Sequence, residues 1–137
     1  LGNEGIAAMS GLGFLRHLHS EQVPTTERLA RIDKTCAAIV AVLNPTRVYV
    51  FGSATSGVNF DSESDIDCLA VVESDAQAAA SWKLFGKIRK QISWPLDLIC
   101  LSETEFQRKR NLGGVAFIAT HEGRLLHQRS SLTLPLE

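Results

Sequence analysis

Long apolar runs are missing from this 137-residue sequence, and no stretch approaches the ~18 residues that a membrane span requires. The most apolar early segment, Ile6 to Leu15, is broken by Gly11 and Gly13, so neither a span nor a secretory signal is expected. An excess of one charge is missing too. Fourteen Lys+Arg against fifteen Asp+Glu leave a formal charge of -1, which excludes a bulk basic field for nucleic acid and an acidic tail alike. Any charged partner must be met locally. Cysteine is scarce: Cys36, Cys68 and Cys100 stand far apart with no CxxC pair. They read as reduced core thiols of a cytoplasmic protein, not as a disulfide framework or a zinc site. The sole methionine, Met9, is internal, so Leu1 to Ala8 are set aside as an expression scar or an upstream extension.

What is present is a core. With 45% hydrophobic against 21% charged residues the chain is not disordered as a whole, and its length suits one domain. Residues 1–24 read as a flexible Gly-rich arm, 25–128 as the domain and 129–137 as a tail. Pro24-Thr25-Thr26-Glu27 marks a helix start with hydroxyl caps. Leu29, Ile32, Cys36, Ile39, Val40 and Leu43 form an apolar stripe that predicts a helix to about Leu43, stopped by Asn44-Pro45. Arg47-Val48-Tyr49-Val50-Phe51 is a first strand ending at Gly52, and the polar segment from Ser53 to Ser64 is a loop or a short helical turn followed by a loop. Ile66 to Val72 is a second strand. Ser74-Asp75 caps a second helix expected to reach about Ile92, with Ala78, Trp82, Phe85, Ile88 and Ile92 facing the core. Leu96 to Leu101 is a third strand. Ser102-x-x-Glu105 is a capping box opening a polar helix ended by Gly113-Gly114. A short helix over Val115 to Glu122, closed by Gly123, and an edge strand at Leu125-Leu126 complete an α/β (α+β) fold, a small mixed sheet with helices.

Carboxylates sharpen this outline. Gly52-Ser53 ends the first strand, while Asp65 and Asp67 begin the second. If those strands pair antiparallel, the two ends meet at one sheet edge. A right-handed crossover through the second helix would set the third strand parallel and bring Asp97 to the same edge. Asp65 and Asp67, two apart, point the same way. A single strand-end Asp needs only an Arg or a backbone N–H, but Asp67 and Asp97 lie within apolar runs, and three acids on one edge repel one another and call for a multivalent cation. Hard oxygen donors favour Mg²⁺ or Mn²⁺ over zinc. Beside them, Gly52 would let the backbone approach a phosphate, Ser53 would add a hydroxyl donor, and the N–H groups of a following helix start attract anions.

Val50-Phe51-Gly52-Ser53, Ser64-Asp65-Ile66-Asp67-Cys68-Leu69-Ala70-Val71 and Leu96-Asp97-Leu98-Ile99 together resemble the nucleotidyltransferase superfamily related to DNA polymerase beta, specifically its minimal nucleotidyltransferases. The pattern spans Val48 to Leu101, and Ala119-x-His121-Glu122-Gly123 is similar as well. The resemblance implies a mixed-sheet core, Mg²⁺ (or Mn²⁺) held by Asp65 and Asp67 with Asp97 as third acid, and ATP or another nucleoside triphosphate at Gly52, Ser53 and Ser64. It further implies transfer of a nucleoside monophosphate, AMP foremost, to a hydroxyl of a macromolecule. The acceptor would be supplied in trans, because the chain is too short to carry its own acceptor-binding domain. A HEPN-type protein, toxin to this antitoxin, is the implied partner; RNA is a further acceptor, and homo- or hetero-oligomers are compatible. Two other readings stay open: a silent module that neutralises its partner by contact, and aminoglycoside nucleotidylation, for which the extra helical domain is missing. One departure stands out. Many relatives carry a basic residue just after Gly-Ser, whereas Ala54-Thr55-Ser56-Gly57 has none, so triphosphate charge must be met by metal, backbone N–H groups or Lys and Arg from elsewhere.

The remaining signals have plainer readings. Lys83, Lys87 and Lys90, like Arg108, Lys109 and Arg110, read as solvated faces. His17-x-His19 lacks a third ligand, and His121-Glu122 lacks the second histidine of a zincin helix, Leu125 standing in its place. Trp82 and Trp94 read as core or interface anchors.

Overall fold

A computed structural model describes residues 21–130; the arm with His17 and His19 and the end of the tail lie outside the described residues. The first helix, α1 (Thr25–Leu43), buries Ile32, Thr35, Ala38, Ile39 and Leu43. Its stripe is therefore centred slightly off the expected one, and Leu29 is exposed at its border. No hydroxyl caps it. Pro24 occupies the cap position, Thr25 and Thr26 lie inside the first turn, and the Pro24 carbonyl accepts the Arg28 N–H at 2.9 Å. Asn44 ends the helix in the left-handed conformation (φ 47°), returning its N–H to the Val40 carbonyl.

Strand β1 (Arg47–Phe51), the single turn α2 (Ser53–Ser56) and β2 (Ile66–Val72) follow as the sequence predicts. The second helix does not. It splits into α3 (Asp75–Ala80), a 3₁₀ turn (Ser81–Leu84) and α4 (Phe85–Arg89). Buried Ser81 donates its hydroxyl to the Ala78 carbonyl at 2.7 Å, a local bond that competes with the helix ladder, and Gly86 weakens the next turn. The tighter turn rotates Trp82 outward, leaving it 67% exposed rather than in the core, while Ile88 stays buried. Trp94 does anchor: its indole N–H donates to Thr35 Oγ1 at 2.8 Å and Arg31 lies over its ring.

After β3 (Leu96–Ser102), α5 (Glu103–Lys109) opens on the predicted cap, the Ser102 hydroxyl accepting from the Glu105 N–H at 3.1 Å. The reciprocal half of the box is not made, because the Glu105 carboxylate pairs with Arg108 and Lys109. The helix also stops before the glycines; Gly113, at φ 119°, instead opens α6 (Gly114–His121). The edge strand β4 (Arg124–Gln128) then completes the order β3-β2-β1-β4. As expected, β1 runs antiparallel to β2 and β2 parallel to β3. Flanking residues touch the sheet and its loops as well, with Gln22 bridging to Asp61 and the Arg129 N–H reaching the Thr46 carbonyl.

Alternation along the strands divides the core in two. Ile66, Cys68, Ala70 and Leu98 pack with Ile32, Ile39 and Ile88 of α1 and α4. Tyr49, Leu69 and Val71 pack on the other face with Phe106 of α5 and with Ala116 and Ala119 of α6. By the same alternation Asp67 and Asp97 belong to this second face. All three cysteines are free thiols, and burial pushes the Cys68 thiol far up, so it is an inert core residue. Among the described residues no helix is long and apolar enough to cross a membrane.

Candidate active site

The strand register assembles the site. Phe51 lies opposite Asp67 across the antiparallel pair, and Asp67 lies opposite Asp97 across the parallel one. The end of β1 and the starts of β2 and β3 therefore share one edge, as strand polarity alone requires. Gly52 leaves β1 at φ 74° and ψ -154°, a region that only glycine enters readily. A Cβ there would collide with Asp67 Oδ2. Bare backbone and carboxylate thus lie against one another, in the kind of cradle a side chain would fill.

The turn α2 presents its amide end next to this carboxylate. The Thr55 and Gly57 N–H groups bond back to the Gly52 and Ser53 carbonyls at 3.0 and 2.8 Å, and the first amides of such a turn have no partner inside it. From α1, Arg28 donates through Nη1 to the Ala54 carbonyl and, at 3.4 Å, to that of Thr55. It therefore closes the opposite, carbonyl end of the turn.

On the far side, buried Asp61 folds the loop that precedes β2. Its Oδ1 accepts from the Glu63 N–H at 2.9 Å and from the Ser64 hydroxyl at 3.1 Å, while Ser64 Oγ accepts from the Asp61 N–H at 3.0 Å. This turn delivers Glu63, Ser64 and Asp65 together. The result is a hollow of about 320 Å³ lined by Ser53, Glu63, Ser64, Asp65 and Asp67.

Of the six expected site residues, Ser53, Ser64, Asp65 and Asp67 line this hollow, Gly52 abuts Asp67, and Asp97 stands beside Asp67 on the edge strand. Ser64 locks its own loop as well. The acids are less embedded than their apolar neighbours in sequence suggest. Asp65 and Asp97 are exposed and Asp67 is half-buried, because strand starts reach the rim of the sheet. Burial first, then the charges of Asp97 and Asp65, push the Asp67 carboxyl above the usual carboxylate range. Among the described residues no three His, Cys, Asp or Glu side chains gather tightly enough to hold a metal ion as they stand. The three acids share an edge and a field, not a closed cage.

Sequence reasoning missed Asp61, Glu63 and Arg28. The Asp61-x-x-Ser64 spacing is a turn signal that could have revealed the first two; Arg28, 26 residues before Ala54, carries no such mark. A second depression of about 520 Å³ lies on the same face, with Ile99, Leu101, Leu112 and Val115 along it and Arg108 and Lys109 at its rim. It begins two residues along β3 from Asp97. The lysines 83, 87 and 90 are exposed on the segment that packs against the other face. His121 stacks on Phe117 at 4.0 Å and bonds its carbonyl, which accounts for it without a metal.

Fold and site together define a mixed-sheet enzyme core with carboxylates facing a glycine-hydroxyl turn. The chain matches the model of the nucleotidyltransferase domain over residues 30–125 and belongs to that family, within the DNA polymerase beta-like superfamily. It is a nucleotidyltransferase. Its fold is similar to that of a candidate nucleotidyltransferase from Sulfolobus solfataricus, whose crystal structure was determined at 1.40 Å. The two are 24% identical, with 77% of this chain and 87% of the other covered and a TM-score of 0.50. No curated protein matches the chain.

Proposed function

We propose that this protein is a metal-dependent nucleotidyltransferase of the minimal type, which moves AMP from ATP to a hydroxyl of a partner macromolecule. The observation that carries the reading is the register: Asp67 sits directly between Phe51, next to the Gly52-Ser53 turn, and Asp97. A phosphate cradle and an acidic edge thereby adjoin.

Transfer requires the acceptor oxygen to bond to the α-phosphorus while the bond from that phosphorus to the bridging oxygen breaks and pyrophosphate leaves. Ser53 and the first amides of α2 receive the phosphate oxygens, and Gly52 keeps the approach free of a side chain. Asp97, exposed on the edge strand, takes the proton from the acceptor hydroxyl. Asp65, Asp67 and Asp97 fit Mg²⁺ or Mn²⁺ in donor type, and the Asp67 carboxyl, raised first by burial and then by the charges of Asp97 and Asp65, is one that a cation would favour in its charged form. Bound there, the ion would offset triphosphate charge and acidify the acceptor hydroxyl. Ser64, which locks the neighbouring loop, borders the nucleotide. The depression beginning next to Asp97, apolar with a basic rim, is where the acceptor approaches.

Resemblance to minimal nucleotidyltransferases supports a HEPN-type protein as acceptor and toxin, with this chain as its antitoxin. Three free thiols support a reducing, cytoplasmic setting. The test is incubation with ATP labelled at the α-phosphate, Mg²⁺ and the protein encoded beside this one. We expect label on a hydroxyl side chain of that protein, abolished by Asp97→Ala while the two still co-purify. A partner neutralised equally well by the Asp97→Ala protein, with no label under any metal, would refute transfer and leave contact as the function.

A further inference from the structure

The loop after Gly52-Ser53 carries no basic residue, yet a triphosphate brings several negative charges to it. The structure assigns that charge to Arg28 of α1, as a positioning residue that holds the α2 turn and supplies the cation its sequence lacks. This inference rests on the nucleotide-binding reading above.

Three observations carry it. The guanidinium grips the turn from its carbonyl end, through Ala54 and Thr55, so the amide end is left facing the hollow that Ser53 lines. Charge and hydrogen bonds act in the same direction there, since a cation at the carbonyl end of a helical turn is favourable and fixes the amides at the other. Second, among the described residues no carboxylate competes for the guanidinium: Arg28 is half-buried and forms no ion pair with any of them. Held against the neutral carbonyls of Ala54 and Thr55, it sets a positive charge on the turn that begins at Ser53, where anions in the hollow would feel it. Third, the chain makes room for it. Gly57, at φ 78°, closes the turn, and a Cβ there would come within 3.0 Å of the Arg28 guanidinium carbon and Nη2. Glycine therefore serves both the backbone and the seat of the arginine.

A structural clamp and a charge donor make different demands on the ligand. If Arg28 only shaped the loop, losing it would weaken ATP and AMP alike. A charge acting through space weakens the ligand with more phosphates more, and less so in salt.

The experiment is calorimetric titration of the intact protein with ATP and, separately, AMP, each with Mg²⁺, at 50 and 500 mM NaCl. Arg28→Gln is expected to weaken ATP on the order of tenfold and AMP by roughly threefold or less, the gap narrowing at high salt. Arg28→Lys, which keeps the charge but not the fork, should restore most of the ATP preference. Circular dichroism checks the fold of each variant. Should Arg28→Gln fail to fold, Arg28→Lys and Gly57→Ala carry the test, the latter pushing the guanidinium away and lowering the ATP-to-AMP ratio. Equal losses for ATP and AMP, or none, would overturn the inference while leaving the nucleotide site standing. A wild-type protein that binds neither nucleotide would remove the nucleotide site itself, and this role with it.

Discussion

Gly52→Ala tests whether the bare backbone after β1 exists for the sake of Asp67. Two costs are separable. The first is backbone conformation: at φ 74° and ψ -154° an L-residue is strained by about 1–3 kcal/mol. The second is the collision of the new methyl with Asp67 Oδ2. That oxygen ends a half-buried, rotatable side chain, so the clash is relieved by swinging the carboxylate aside, an off-rotamer cost of about 0.5–1.5 kcal/mol. The variant should therefore lose about 2–4 kcal/mol in urea unfolding and remain folded.

Its effect on the site should be disproportionate, because the relieved clash is a displaced carboxylate. Stabilisation by ATP with Mg²⁺, seen as a rise in melting temperature of the wild type, should vanish in Gly52→Ala. A double-mutant cycle isolates the cause. In an Asp67→Ala background the methyl meets no carboxylate, so Gly52→Ala should cost only its backbone share, with a coupling of about 1 kcal/mol. Strict additivity, together with an undiminished response to ATP and Mg²⁺, would refute the idea that glycine is there to admit Asp67.

Gly123 makes the opposite case: a Cβ there would strike the Val50 and Ala119 carbonyls, which cannot rotate away. Gly123→Ala should destabilise by about 1–3 kcal/mol or more in urea while leaving the nucleotide response of the folded fraction intact; loss of that response with unchanged stability would contradict this. Glu103 ties α5 to β1, accepting from Thr46 Oγ1 at 2.7 Å and Gln107 Nε2 at 3.1 Å and facing Arg47 at 3.6 Å. Burial raises its carboxyl, but these hydrogen bonds and the charges of Arg47 and Arg110 outweigh it and hold the pKa below the ordinary 4.5. A depressed carboxylate stabilises the fold above its unfolded value and loses that contribution as pH falls through the folded one. Glu103→Gln should thus be less stable by about 1 kcal/mol at pH 7 and converge on the wild type as urea midpoints are followed below pH 4; a gap that is constant with pH would refute the assignment.

Elements whose limits are set by local chemistry were legible. Gly52 ends one strand, Asn44 stops one helix in a left-handed turn, and the Ser102 hydroxyl caps another. Elements decided by tertiary packing were not. Apolar spacing from Ala78 to Ile92 is sound helical arithmetic, but it does not register that Ser81 is buried and bonds backward, and so it placed Trp82 in a core that the 3₁₀ turn excludes it from. Likewise Gly113-Gly114 reads equally as the end of one helix or the beginning of the next, and only packing of Ala116 and Ala119 on the sheet decides for the latter.

The site shows the same division at finer scale. Asp65, Asp67 and Asp97 could be gathered on paper because strand polarity is discrete: two strands run antiparallel or parallel, and each choice sends whole ends together. The burial of those acids is continuous, and sequence neighbours misjudge it. Ile66 and Cys68 flank Asp67 in the chain and are fully buried, yet they project to the opposite face, so they report nothing about its solvent. Leu96 and Leu98 misreport exposed Asp97 in the same way. What governs an acid on a strand is the cross-strand neighbour on its own face. For Asp67 that neighbour is Asp97, whose like charge adds to the larger effect of burial in raising its carboxyl. Arg28 extends the point. A cation that serves a loop need not lie in it, and one reaching Ala54 from a different element becomes visible only when the loop and the helix are placed in space. In the role proposed for Arg28, the missing basic residue after Gly52-Ser53 is a property of the loop's sequence, and the charge comes to the loop from α1.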